Sequence, residues 1–220
     1  MNLFEQHEIF EMEVLERMKS SRLLEKLIFG GGTMLRLCHE LPRYSADLDF
    51  WKWKPFDDEQ FLHRLRQSLG RSYEITDAEL KRFTILLELR SARYPRRLKI
   101  EIRREMQDWD VEDQIAFSPY SPRQVLLKAH TLKQTLQNKI AALLERGEIR
   151  DAFDIEFILR RGVALPPLEP EVVDKLLARL RGFSPQDFRV TLGSVLQPEW
   201  REYYQTNGFQ FLMEKLNAQR

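Results

Sequence analysis

Three consecutive glycines, Gly30-Gly31-Gly32, constrain this chain more than any other feature. They follow a short apolar piece, Leu27-Ile28-Phe29. They precede an apolar helical spacing, Met34, Leu35, Leu37 and Cys38, that Pro42 ends. Glycine opens backbone conformations closed to other residues. A turn ahead of a helix also aims backbone N–H groups, and here the Thr33 hydroxyl, at an anion. The pattern is not a P-loop, because no Gly-Lys-Ser/Thr follows. Beyond Pro42, Ala46 to Trp53 reads as a strand with Leu48 and Phe50 on one face and Asp47 and Asp49 on the other.

The rest of the chain changes texture near residue 118. Residues 3 to about 27 carry a helical period through Ile9, Met12, Leu15 and Met18. Asp57 or Asp58 caps a helix that Gly70 closes. Strands follow at Tyr73–Thr76, Arg82–Leu89 and Leu98–Arg103, the last two joined as a hairpin through Tyr94-Pro95. Gln107 to Phe117 reads as irregular. Ser121-Pro122-Arg123-Gln124 matches a helix start, and helices are expected near 122–146, 150–161, 169–182, 185–196 and 198–217. The expectation is an α+β chain: an α/β domain over 1–118 and a helical domain over 119–220, with a ligand in the cleft between them.

Composition narrows the function classes. Of 220 residues, 43% are hydrophobic and 31% charged, with a net charge of +1, so any nucleic-acid surface must be local. One cysteine, Cys38, excludes an internal disulfide and a cysteine-based zinc site. No apolar run approaches the roughly 18 to 20 residues of a spanning helix. A cytoplasmic protein without a membrane segment is expected.

Asp47 and Asp49, at i and i+2 on a strand, point their carboxylates to one face, where hard oxygen ligands suit Mg2+. Taken alone, Asp-x-Asp is more often a solvated strand face. In Arg97-Leu98-Lys99-Ile100-Glu101-Ile102-Arg103 the alternation puts Glu101 opposite a core-facing set. If this strand lies beside Asp47 and Asp49, Glu101 completes a three-carboxylate cluster of the kind two-metal phosphoryl chemistry uses. The alternative for Glu101 is a salt-bridge ladder with its basic neighbours. Seven cations against one acid lie between residues 90 and 104, among them Arg93, Arg96, Arg97 and Arg103. They could track a phosphate backbone or simply guard a hairpin edge. Later, Ile140, Leu143 and Leu144 form an apolar stripe that leaves Lys139 on another side. Lys139 could neutralise triphosphate charge with Asp151 orienting it, and Asp154 could be a surface or pairing residue.

Two blocks together resemble the nucleotidyltransferase toxins of the AbiEii/AbiGii family. The first is Gly31-Gly32-Thr33-x-Leu35 with Leu41-Pro42-Arg43-x-Ser45-x-Asp47-Leu48-Asp49-Phe50. The second is Lys139-x-x-Ala142-Leu143-x-x-Arg146-Gly147-x-x-Arg150-Asp151-x-x-Asp154. The resemblance spans roughly residues 25 to 160. It implies a polymerase-β-like fold and NTP-dependent, Mg2+-dependent nucleotidyl transfer in a toxin–antitoxin or phage-defence system. The acceptor it implies is the 3′ end of tRNA or another RNA, and a cognate antitoxin is a possible partner. By the resemblance, Asp47 and Asp49 hold metal. Gly31, Gly32, Thr33, Arg43 and Ser45 belong to the nucleotide site, Lys139 contacts the triphosphate, and Asp151 is its acidic partner. Glu101 stands where many relatives carry an aspartate, a departure that keeps the carboxylate. The alternatives are a protein or small-molecule acceptor, or a non-catalytic nucleotide- or antitoxin-binding module.

Overall fold

The computed structural model describes Met1 to Gln219. Backbone contacts divide the chain into two units, residues 1–40 with 45–130, and residues 41–44 with 131 onward.

The first unit is built on one mixed sheet. In chain order its elements are α1 (Leu3–Ser20), β1 (Leu27–Gly30), α2 (Gly31–His39), β2 (Asp47–Lys52) and α3 (Asp58–Leu69). They continue through β3 (Glu74–Leu80), β4 (Thr84–Arg90), β5 (Leu98–Arg103), β6 (Val111–Ser118) and β7 (Ser121–His130). The strand order is β3-β4-β5-β2-β1-β7-β6. β2 runs parallel to β5, and β1 parallel to β7; the other neighbours are antiparallel. β1 is buried along its whole length, which explains its unbroken apolar sequence. Leu48, Phe50, Ile100 and Ile102 form the core side of β2 and β5.

The helix starts have local causes. Asn2 caps α1, and the Glu5 carboxylate accepts from the Asn2 N–H, a reciprocal capping box. Asp57 caps α3 through the Gln60 N–H. α1 is shorter than its periodicity suggests: Arg22 adopts a left-handed φ of 56°, and a single 3-10 turn, Leu24–Lys26, leads into β1.

The expected helix over 122–146 is a correction. Residues 121–130 are β7, paired with β6 in the stretch read as irregular, and only Leu132–Arg146 is helix. Ser121, read as a helix cap, instead accepts from the Arg123 N–H in the hairpin, as Ser118 accepts from the Tyr120 N–H. Val125, Leu127 and Ala129 point inward while Leu126, cross-strand from Ile115, lies exposed. An apolar outer face hides the period of two, so the run reads as helix. The strand-bearing part therefore continues to His130.

The second unit is helical: α4 (Leu132–Arg146), α5 (Ile149–Arg160), α6 (Pro170–Arg181), a π-helical stretch Asp187–Leu192, α7 (Pro198–Asn207) and α8 (Gln210–Asn217). Thr131 caps α4, and Gly147, in a left-handed conformation, ends it. Gly208 (φ 54°) splits the last expected helix into α7 and α8. Phe153, Tyr204 and Phe209 pack as tilted rings in the core, with centroids 4.9 and 5.6 Å apart. Buried Glu156 accepts from the Tyr204 hydroxyl and the Leu212 N–H, pinning α8. The segment 41–44 is held here too, through Tyr44 N–H to Val195 O and Gln197 N–H to Pro42 O. No helix among the described residues is long and apolar enough to cross a membrane.

Candidate active site

The parallel pairing of β2 and β5 sets Asp47 beside Lys99 and Asp49 beside Glu101. Partners across a ladder share a face, as do residues two apart on one strand. The result is a patch of three carboxylates and one ammonium on the face opposite Leu48 and Ile100. Lys99 ion-pairs with Glu101. That hydrogen bond, and the charges of Glu101, Asp47 and Asp49, raise the Lys99 ammonium above its ordinary pKa, against partial desolvation. The patch therefore attracts cations, and an intrinsic one already sits in it. Among the described residues no three His, Cys, Asp or Glu side chains converge tightly enough to enclose a metal ion. The donor set nonetheless fits one: hard oxygen ligands from two rigid, hydrogen-bonded strands. Seating an ion on all three requires Glu101 to leave Lys99.

The glycines serve this patch by getting out of its way. Gly30 pairs with Asp49 across β1–β2, and a Cβ there would lie 2.4 Å from the Trp51 ring. Gly31 opens α2 with φ +72°, and a Cβ would lie 2.2 Å from Asp49 Oδ2. So Gly31 answers both a left-handed backbone and a close approach, and the positive end of α2 sits against the Asp49 carboxylate. Gly32 and Thr33 are buried in the first turn. The Thr33 hydroxyl donates to Asp47 O at 2.6 Å, tying helix to strand. Ser45 is half-buried just ahead of β2.

Behind the patch α1 carries His7, Glu8, Glu11 and Glu13 into the interior. Glu8 pairs with Arg36 at 2.8 Å, and Glu13 with Arg93 at 2.6 Å. His7 Nε2 donates to Ala46 O at 2.8 Å, next to Asp47. Glu11 is fully buried and neither of its oxygens has a hydrogen-bond partner. Burial first, then the charges of Glu8 and Asp47, push its carboxyl well above the usual carboxylate range. A carboxyl raised in the folded state stabilises below its unfolded pKa and loses that contribution as pH rises. His7 is shifted the other way, downward by burial, so its contribution is lost as pH falls. His7 Nε2 lies 3.6 Å from Glu11 Oε1, so Glu11→Gln removes the first effect and the charge that faces His7. Urea denaturation across a pH series should show the wild type losing stability above about pH 4.5, its unfolded reference. The variant should keep only the shallower slope left by Glu8 and Glu156, whose carboxyls are also raised by burial, and be the more stable form at neutral pH. Parallel curves for the two proteins would contradict a neutral, buried Glu11.

The second unit holds an ionic network of its own. Arg43 forks onto Asp154 with two 2.6 Å bonds and donates to Tyr44 O. Lys139 reaches Asp154 at 2.7 Å and Asp151 at 3.0 Å, and Arg146 forks onto Asp151. Asp151 and Asp154 are completely buried, and Arg43 and Lys139 nearly so. Lys139, on another side of α4 from the apolar stripe, is buried there. Its charge is satisfied by two aspartates one helical turn apart on α5. Burial alone would raise the Asp154 carboxyl, but Arg43 and Lys139 outweigh it and hold it below the ordinary value. Asp154, left by the sequence as a surface or a pairing residue, is a pairing one and organises the network. Its spacing from Asp151 was visible, its partner 111 residues upstream was not.

The arginines expected to grip nucleic acid have local partners. Arg93 binds Glu13, Arg97 binds Glu88, Arg96 lies over the Phe4 ring and Arg103 over Trp51.

A family model described as nucleotidyl transferase AbiEii toxin, type IV toxin–antitoxin system, matches residues 13–217. No curated protein matches the chain. Among solved structures, JHP933 from Helicobacter pylori superposes with a TM-score of 0.55 at 19% identity, over 96% of this chain and 94% of that one. A second H. pylori structure, named as a candidate nucleotidyltransferase, gives 0.58 at 18% identity over 96% and 97%. At such identities the likeness speaks for the fold.

Proposed function

Because this chain belongs to the AbiEii family of nucleotidyl transferase toxins, we propose that it transfers a nucleoside monophosphate from an NTP to RNA, with the 3′ end of tRNA as acceptor. The observation that carries the reading is the Asp49–Glu101 register, which puts three carboxylates on one sheet face. Asp47, Asp49 and Glu101 would hold Mg2+. Bound there, the ion supplies Lewis-acid charge to a triphosphate and makes an acceptor hydroxyl more acidic. The acceptor oxygen bonds to the α-phosphorus, the bond to the bridging oxygen breaks, and pyrophosphate departs. Gly31 and Gly32 offer backbone N–H groups at the start of α2. Thr33 keeps β2 in register with that helix. Arg43 and Lys139 are not assigned to phosphate, because in the second unit both are buried and already held by Asp154 and Asp151. The biological role is that of a toxin with a cognate antitoxin, acting in the cytoplasm or against phage.

The test is incubation with NTPs labelled at the α-phosphate, Mg2+ and total cellular RNA. Label should enter RNA, resist protease and disappear with ribonuclease. Label that survives ribonuclease and falls to protease would overturn the RNA acceptor in favour of a protein one. No label on any macromolecule would overturn both the RNA and the protein acceptor.

A further inference from the structure

A second site lies in the first unit, where the C-terminal ends of α1 and α3 meet. A groove of about 570 Å³ is lined there by Arg17, Arg64 and Arg71 and by the hydroxyls of Ser20, Ser21 and Ser68. We propose that this groove binds the phosphodiester backbone of a nucleic acid strand.

Charge is the first argument. Lys19, Arg22 and Arg66 sit on the same two helix ends, and none of these six cations forms an ion pair among the described residues. Arg17 is held by the Tyr73 hydroxyl at 3.1 Å, which fixes its guanidinium without neutralising it. The one acid on the lining, Glu16, is engaged by Arg123 at 2.8 Å. Cations near helix C-termini are ordinarily explained by the macrodipole. Two helix ends supply about half a negative charge each, too little to balance six full charges. The contrast with the 90–104 cations is direct, since Arg93 and Arg97 there are tied to carboxylates.

Shape and chemistry select the ligand. Arg64 and Ser68 share a face of α3, and Arg71 follows its end. Seven residues at about 1.5 Å each span roughly 10 Å, longer than one phosphate. The Ser20 hydroxyl donates to Glu16 O and those of Ser21 and Ser68 bond each other, so the donors offered to phosphate oxygens are the guanidinium forks. A protein partner would want exposed aromatic or aliphatic anchors. The groove's apolar lining residue is Leu23, itself buried.

This deepens the RNA reading of the acceptor by giving it a surface. The test is run without NTP and in EDTA, so that a failed surface and failed catalysis give separate results. Binding of fluorescein-labelled single-stranded RNA is followed by anisotropy over a salt series. The proteins are the wild type, Arg64→Gln/Arg71→Gln, and Lys175→Gln/Lys215→Gln as a charge-matched control. All four substituted side chains are exposed. The groove variant should lose about tenfold or more in affinity at low salt. Its log–log salt slope should shrink by about 1.4, two contacts at roughly 0.7 each. The control should keep the wild-type slope. Equal slopes for the two variants would overturn the proposal. So would displacement of RNA by inorganic phosphate, but not chloride, at matched ionic strength, which marks a single-phosphate site.

Discussion

Arg43→Ala should cost about 3 kcal/mol of folding stability, the low end of what is lost when one partner of a buried ion pair is removed. The low end applies because Asp154 keeps Lys139 at 2.7 Å after the fork is gone. Both guanidinium bonds to Asp154 are 2.6 Å, and the pair is shut off from solvent. Water cannot replace what the arginine supplied. The loss should be read as a lower urea midpoint. The gap between wild type and variant should narrow in acid, because the depressed Asp154 carboxylate that Arg43 stabilises contributes above its unfolded pKa and that contribution is lost as pH falls through the folded value. A paired apolar replacement, Arg43→Met with Asp154→Leu, should recover part of the stability, since well-packed apolar residues can replace a buried pair. A single variant as stable as wild type would mean the pair is hydrated in solution.

The second large effect is on activity. Asp47→Asn/Asp49→Asn removes two anionic oxygen ligands and keeps shape and hydrogen-bonding capacity. The fold should persist, because the core side of β2 is Leu48 and Phe50. Transfer should fall at least about a thousandfold, equivalent to about 4 kcal/mol of transition-state stabilisation. Lys99 sharpens the prediction. With two of three carboxylates neutralised, its ammonium and Glu101 remain as a closed ion pair, and the patch loses its attraction for a divalent cation.

Much of this site is legible in the chain because it is local or periodic. Asp47 and Asp49 alternate with Leu48 and Phe50, and Glu101 alternates with Ile100 and Ile102. Two strands so patterned needed only to be neighbours, and β2 and β5 are. The glycine turn is legible as a turn, but its closeness to Asp49 is a tertiary fact. What stays hidden is what periodicity does not encode. β6 and β7 carry apolar residues on their outer face, Ile115 and Leu126, so no alternation marks them as strands. Arg43 and Asp154 are far apart in sequence, and charged residues at those positions read equally well as surface. Lys139 reads as lying off its stripe, but its two aspartate partners on α5 are a tertiary fact. Glu11 sits in an acidic helix whose periodicity gives no sign that one carboxyl is sealed in.

The most direct measurement is transfer of label from α-phosphate-labelled NTP by purified wild type and by Asp47→Asn/Asp49→Asn, matched for helix content and denaturation midpoint. The wild type should label its acceptor only with Mg2+ present, and the variant should leave it unlabelled. Equal labelling by the two folded proteins would contradict the assignment of nucleotidyl transfer to this carboxylate patch.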